Sequence, residues 1–135
     1  MKFIKNSYSC ALMLAMDLVG GKWKMVILWH LKNGVLRFSE LKRRLGEVTQ
    51  KMLTQQLREL EETGLIGRTV YAVVPPKVEY QLTEAGQKLI PALAVLCQWS
   101  AEYAKSHEIA YYDNRCEVKR CGLKQTRRRQ PSLNA

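Results

Sequence analysis

The sequence predicts a mainly α-helical chain with one small antiparallel β wing. Three observations predict it. Leucines recur at helical spacing in two neighbouring segments, Glu40 to Leu45 and Gln50 to Thr63, separated by Gly46-Glu47-Val48. Two runs rich in Val, Tyr and Ile follow, Leu65 to Val73 and Lys77 to Leu82, joined through Pro75-Pro76. Apolar helical patterns flank this block on both sides. Short helix, turn, helix and hairpin in that order is the layout of a winged helix-turn-helix, which sets its second helix in a DNA groove.

Ala11 to Val19 is apolar nearly all round, with Asp17 its one charge. A helix of that kind needs burial on more than one side, and in a small protein the second side is often a partner subunit. Gly20-Gly21 ends it. Lys22 to Lys32 is the next helix, with Trp23, Val26, Ile27, His30 and Leu31 at helical spacing and Asn33-Gly34 as its stop. His30 reads as a core or interface histidine. Val35 to Phe38 forms a short strand. Ser39 is placed to cap the helix Glu40 to Leu45, and Thr49 to cap Gln50 to Thr63. Leu53, Leu57 and Leu60 make an inward stripe, and Gly64 suits a left-handed C-terminal cap. The prolines lack backbone donors and belong at the hairpin tip. Thr83 caps a long last helix from Glu84 to about Ser106. Leu89, Leu93, Leu96 and Ser100 share one stripe there, Ile90, Cys97 and Ala104 widen it, and Pro91 is expected to kink it.

The chain has 135 residues, enough for one domain with a real core. Residues 1–113 read as that domain with its flanking helices, and 114–135 as a basic, flexible tail. The formal net charge is +10. The tail contributes +6 of it, through seven Lys or Arg against Glu117 alone. The charge therefore favours a polyanionic partner, but a basic tail is weak evidence by itself. No apolar run approaches the ~20 residues that cross a bilayer, and Asp17 breaks the run that follows Lys2 and Lys5. A cytoplasmic chain with reduced Cys10, Cys97, Cys116 and Cys121 and no membrane partner is expected. No nucleophile–base pair, phosphate loop or metal motif stands in the sequence, so neither an enzyme nor a cofactor or metal site is expected.

With the leucine stripe inward, the second helix presents Gln50, Lys51, Thr54, Gln55 and Arg58. Glutamine pairs with adenine through two hydrogen bonds, Lys and Arg reach guanine or phosphate, and Thr offers a hydroxyl and a methyl. No acidic residue precedes Glu59 in this helix, so its positive end is open to phosphate. Ser39, Lys42 and Arg43, with Arg44, suit backbone contact from the first helix. Lys77, at the wing tip, is set to reach an adjacent groove. Polar residues on one helix alone are more often a solvated face; it is their order with the turn and hairpin that points to double-stranded DNA. A winged fold used to hold a protein partner is the competing reading, and the base-reading composition of Gln50 to Arg58 argues against it.

The runs GGKWKMVILWHL, RFSELKRRLGEVTQKMLTQQLRELEETGLIGR and VPPKVEYQLTEAGQKLIPAL resemble the HxlR-type family of bacterial winged-helix transcription regulators, over about Cys10 to Tyr103. The resemblance implies a cytoplasmic homodimer whose first and last helices form the interface. It implies an inverted-repeat operator too, since a two-fold protein matches two-fold DNA. Members of the family often carry a cysteine near the N-terminus, followed by proline, that in several of them senses oxidants, quinones or aldehydes. Cys10 stands at that place, with Ala11 where the proline is frequent. A helix N-terminus favours the reactive thiolate, with Lys2 and Lys5 adding positive potential, whereas a packed apolar cysteine would be inert. Cys97 lies on the apolar stripe of the last helix. Cys116 and Cys121, beside Arg115, Lys119 and Arg120, are candidate disulfide partners for Cys10. An effector bound without covalent chemistry, between the dimer helices, is the alternative switch.

Overall fold

A computed structural model describes residues 3–111. Cys116, Cys121 and the basic tail lie outside the described residues. Eight elements follow in order: α1 (Ala11–Val19), α2 (Lys24–Leu31), β1 (Leu36–Arg37), α3 (Phe38–Leu45), α4 (Gln50–Glu62), β2 (Ile66–Tyr71), β3 (Lys77–Leu82) and α5 (Glu84–Ser106). The wing is a three-stranded antiparallel sheet of order β1-β3-β2.

The sheet is larger than the hairpin read from the sequence. β3 pairs with β2 from Ile66 opposite Leu82 to Tyr71 opposite Lys77. Its other edge takes β1, with Leu36 opposite Tyr80 and Arg37 opposite Glu79. The short strand predicted at Val35 to Phe38 contracts to two residues because Phe38 opens α3 and packs against the core. That overturns the cap assigned to Ser39. The extended residue before the helix is Arg37, whose backbone N–H faces the Glu40 carboxylate at 3.4 Å, and Ser39 sits exposed inside the first turn. α2 likewise begins two residues late, because Gly21 takes a left-handed φ of 87°.

The other caps form as expected. Thr49 Oγ1 accepts the Met52 N–H at 3.1 Å, and Thr83 Oγ1 accepts that of Gly86 at 3.3 Å. α4 ends with Gly64 at φ 76°. Gly64 N–H donates to Glu61 O and Leu65 N–H to Leu60 O, both at 3.0 Å, so the last carbonyls are satisfied as the chain turns into β2. α5 runs through Pro91 without a break.

α2 is the hub. Lys24, Ile27, Leu28, Trp29, His30 and Leu31 are all buried on it, a wider face than the predicted stripe. Around it close Leu41 and Leu45 from α3, Leu53, Leu57 and Leu60 from α4, Ile66 and Tyr80 from the sheet, and Leu93 from α5. Each fully buried leucine contributes about 1.5–3 kcal/mol relative to exposure, so this cluster is what holds the helix-turn-helix against the wing.

The outer helices are less covered. On α1, Leu12, Met13 and Met16 are exposed; on α5, Val95, Leu96, Trp99 and Tyr103 are. The α5 stripe is therefore split, with Leu93 buried and Leu89, Ile90 and Cys97 packed inward, while Leu96 and Ser100 face out. Among the described residues no helix is long and apolar enough to cross a membrane.

Candidate nucleic-acid interface

The leucines of α4 are 0–1% exposed, which forces its opposite side outward. Gln50, Lys51, Thr54, Gln55 and Arg58 line one open concavity of about 520 Å³. These are the five residues the sequence places on the outer face. Thr54 spends its hydroxyl on the Gln50 carbonyl at 2.8 Å, leaving its methyl for contact. The first turn of α4 carries no acidic residue, so the helix dipole and Lys51 act in the same sense.

A smaller concavity of about 120 Å³ continues the surface onto the sheet, lined by Thr54, Arg58, Glu61, Arg68 and Tyr80. Arg68 was not among the sequence-derived candidates. The signal was the period of two along β2: Ile66, Arg68 and Val70 share a face, and Ile66 is buried where β2 packs on α4, so Arg68 emerges exposed beside α4.

On α3, Ser39 and Arg43 are exposed, while Lys42 and Arg44 are half-buried. None of Lys42, Arg43, Lys51, Arg58 and Arg68 is held in an ion pair among the described residues. Lys77 behaves otherwise. It begins β3, as the run from Lys77 to Leu82 predicts, next to the tip; its Nζ is 2.8 Å from Glu79 Oε1, and it lies 4.8 Å from the centre of the Tyr71 ring. Its ammonium holds the Glu79 carboxyl below the usual carboxylate range, with help from Tyr71, whose hydroxyl donates to Glu79 at 3.1 Å. The outermost wing residues are instead Val73, Val74, Pro75 and Pro76, all exposed.

Two buried polar groups stand behind this face. Lys24 is 6% exposed and meets Glu59 at 2.7 Å, which depresses the Glu59 pKa. His30 is 5% exposed, and burial, with Arg44 and Lys32 nearby, lowers its pKa, so it is neutral at pH 7.

Cys10 is exposed, in an extended conformation immediately before α1. Lys5, expected to lend it positive potential, lies against Tyr8, with its backbone N–H donating to the Tyr8 hydroxyl at 2.9 Å. That hydroxyl donates to Asp17 at 2.7 Å, which accounts for the single charge in α1. Cys97 is half-buried against the core. Among the described residues no cluster of three His, Cys, Asp or Glu could hold a metal ion.

The model of the HxlR-like helix-turn-helix family matches residues 18–108. An uncharacterized HTH-type transcriptional regulator of Methanothermobacter thermautotrophicus is 52% identical over 103 residues, 76% of this chain and 79% of that protein. The HTH-type transcriptional regulator YtcD of Bacillus subtilis is 54% identical over 99 residues, 73% of this chain and 79% of its own length. Among solved structures, the redox regulator HypR in its reduced form superposes with a TM-score of 0.70 at 42% identity, over 75% of this chain and 100% of that one. Its oxidized form gives a TM-score of 0.66 at 45% identity, over 69% and 96%.

Proposed function

The chain belongs to the HxlR-like helix-turn-helix family, and with that as premise we propose that this transcriptional regulator binds an inverted-repeat operator in the cytoplasm as a homodimer. Gln50, Lys51, Thr54, Gln55 and Arg58 read bases in the major groove. Ser39, Lys42, Arg43 and Arg68 hold the flanking phosphates. The single observation behind this reading is the convergence of the five α4 side chains on one open surface. The pairing of Lys77 with Glu79 gives it a smaller part than its position in the sequence suggested. The exposed apolar sides of α1 and α5 support a dimer built through them.

The test is binding of the purified protein to its own upstream region and to random DNA of equal length, across a salt series. Preference for the upstream region, with affinity falling steeply as salt rises, is the expected result; equal affinity for both refutes specific regulation through that region.

A second reading concerns the signal. Cys10 is exposed at the start of α1, and a redox regulator shares the fold at 42% identity. Both support oxidation or alkylation of Cys10 as the event that alters DNA binding. Cys10→Ser is expected to bind DNA as the wild type does and to lose the response to diamide or a quinone. An identical response from both proteins removes Cys10 from the mechanism.

A further inference from the structure

Glu59 divides its carboxylate between two partners of different character. Oε2 faces the ammonium of Lys24, on α2, at 2.7 Å. Oε1 accepts a hydrogen bond from Nε2 of Gln55, one turn earlier on α4, at 3.3 Å. Lys24 is itself 6% exposed, and the ring of Phe3 closes over its Nζ at 4.8 Å. A lysine buried to this degree is unfavourable unless its ammonium is paired, so the Lys24–Glu59 contact is a fixed point of the fold.

On an exposed helix face, a Gln–Glu pair four residues apart constrains little, because both side chains swing. Here one member is immobilised from behind by a buried charge, and the amide of Gln55 inherits that order. It must turn its NH₂ group to the carboxylate, since its carbonyl oxygen would meet a second acceptor there. One N–H and the carbonyl oxygen are left for the open surface that Gln55 lines. A donor and an acceptor side by side match N7 and the N6 amino group of adenine, and do not match the two acceptors of guanine.

We infer that Lys24 and Glu59 are positioning residues for base reading, the buried ion pair fixing the sense of the Gln55 amide so that it selects adenine. The inference rests on the DNA-reading function proposed above.

Binding of the full-length protein to the operator and to its single-base-pair variants tests it, by fluorescence anisotropy at one salt concentration. Gln55→Ala identifies the base pair that Gln55 reads, where the wild type prefers A·T by about tenfold. Lys24→Met keeps the volume and removes the charge. It is expected to reduce that preference below about threefold and to leave preferences at other pairs in place. In a Gln55→Ala background it changes nothing further at that pair, and Lys24→Arg retains the preference. Lys24→Met with the preference intact, or with preferences lost equally at every pair, overturns the inference. If Lys24→Met does not fold, Glu59→Ala, at a side chain 25% exposed, carries the same test with the same outcomes. A wild type that binds all variants alike refutes the regulator reading itself.

Discussion

Alanine at position 86 sets two effects of opposite sign against each other. Gly86 lies in the first turn of α5, where alanine is intrinsically favoured over glycine by about 1 kcal/mol. A Cβ there, however, would stand 2.2 Å from the carbonyl oxygen of Leu65 and 3.2 Å from Cδ2 of Leu82. The carbonyl cannot easily retreat. It accepts the Thr83 N–H at 3.1 Å, and the Thr83 hydroxyl is itself bonded to the carbonyl of Gly64. Overpacking of a core costs about 1–3 kcal/mol, and a rigid backbone neighbour puts this case at the upper end. The clash wins, and Gly86→Ala is expected to destabilise the protein by about 1–2 kcal/mol net of the propensity gain. For a domain of this size that lowers Tm by about 4–8 °C. Thermal melting followed by circular dichroism, with urea unfolding as a second measure, checks it. A variant as stable as the wild type, or more so, refutes the claim that Gly86 is required by close approach at the corner joining α4, β2 and α5.

Two further outcomes follow from the same geometry. His30 has a folded pKa below its unfolded value of about 6.5, so the unfolded chain binds the extra proton more readily; stability is full above that pH and falls as pH drops through the folded pKa. His30→Leu should flatten the fall in urea midpoint from pH 7 to 5, and a slope equal to the wild type's shows that other groups cause it. Trp99 is 59% exposed, and covering that share of its side chain removes roughly 100–150 Å² from water, worth about 3 kcal/mol before association costs. In the proposed homodimer, Trp99→Glu should weaken association at least about tenfold in sedimentation equilibrium, and an unchanged dissociation constant places the interface elsewhere.

Helix α4 was legible from sequence because its two sides obey one rule. Leucines at helical spacing fix the buried stripe, and whatever lies opposite must face water, so Gln50 to Arg58 needed no tertiary information. Caps at Thr49 and Thr83 were legible for the same local reason. What escaped depends on contacts between distant segments. Ser39 looked like a cap because serine before a helical pattern usually is one; the packing of half-buried Phe38 against the core moved the helix start, and no periodicity reports that. Lys77 looked available because it directly follows the prolines of the hairpin tip, yet pairing across the hairpin brings Glu79 and Tyr71 onto it. No role was assigned to Lys24 from the sequence, and only the packing of α2 against α4 shows that it is buried against Glu59.

β1 ends at Arg37 and α3 begins at Phe38, so no linker separates the first DNA-unit helix from the sheet that carries the wing. β1 is hydrogen-bonded to β3, and the α2 core joins both to α4. Strand pairing and a shared core favour rigid-body movement of such a unit over bending within it. In the proposed homodimer, the outer helices would then change only the distance and angle between the two copies of α4. For the proposed switch, the variable that would separate the two states is therefore half-site phasing. Inserting one base pair at the operator centre shifts one half-site by about 3.4 Å and turns it by about 35°, and should be felt differently by the two states. Base changes inside a half-site should be felt by both alike.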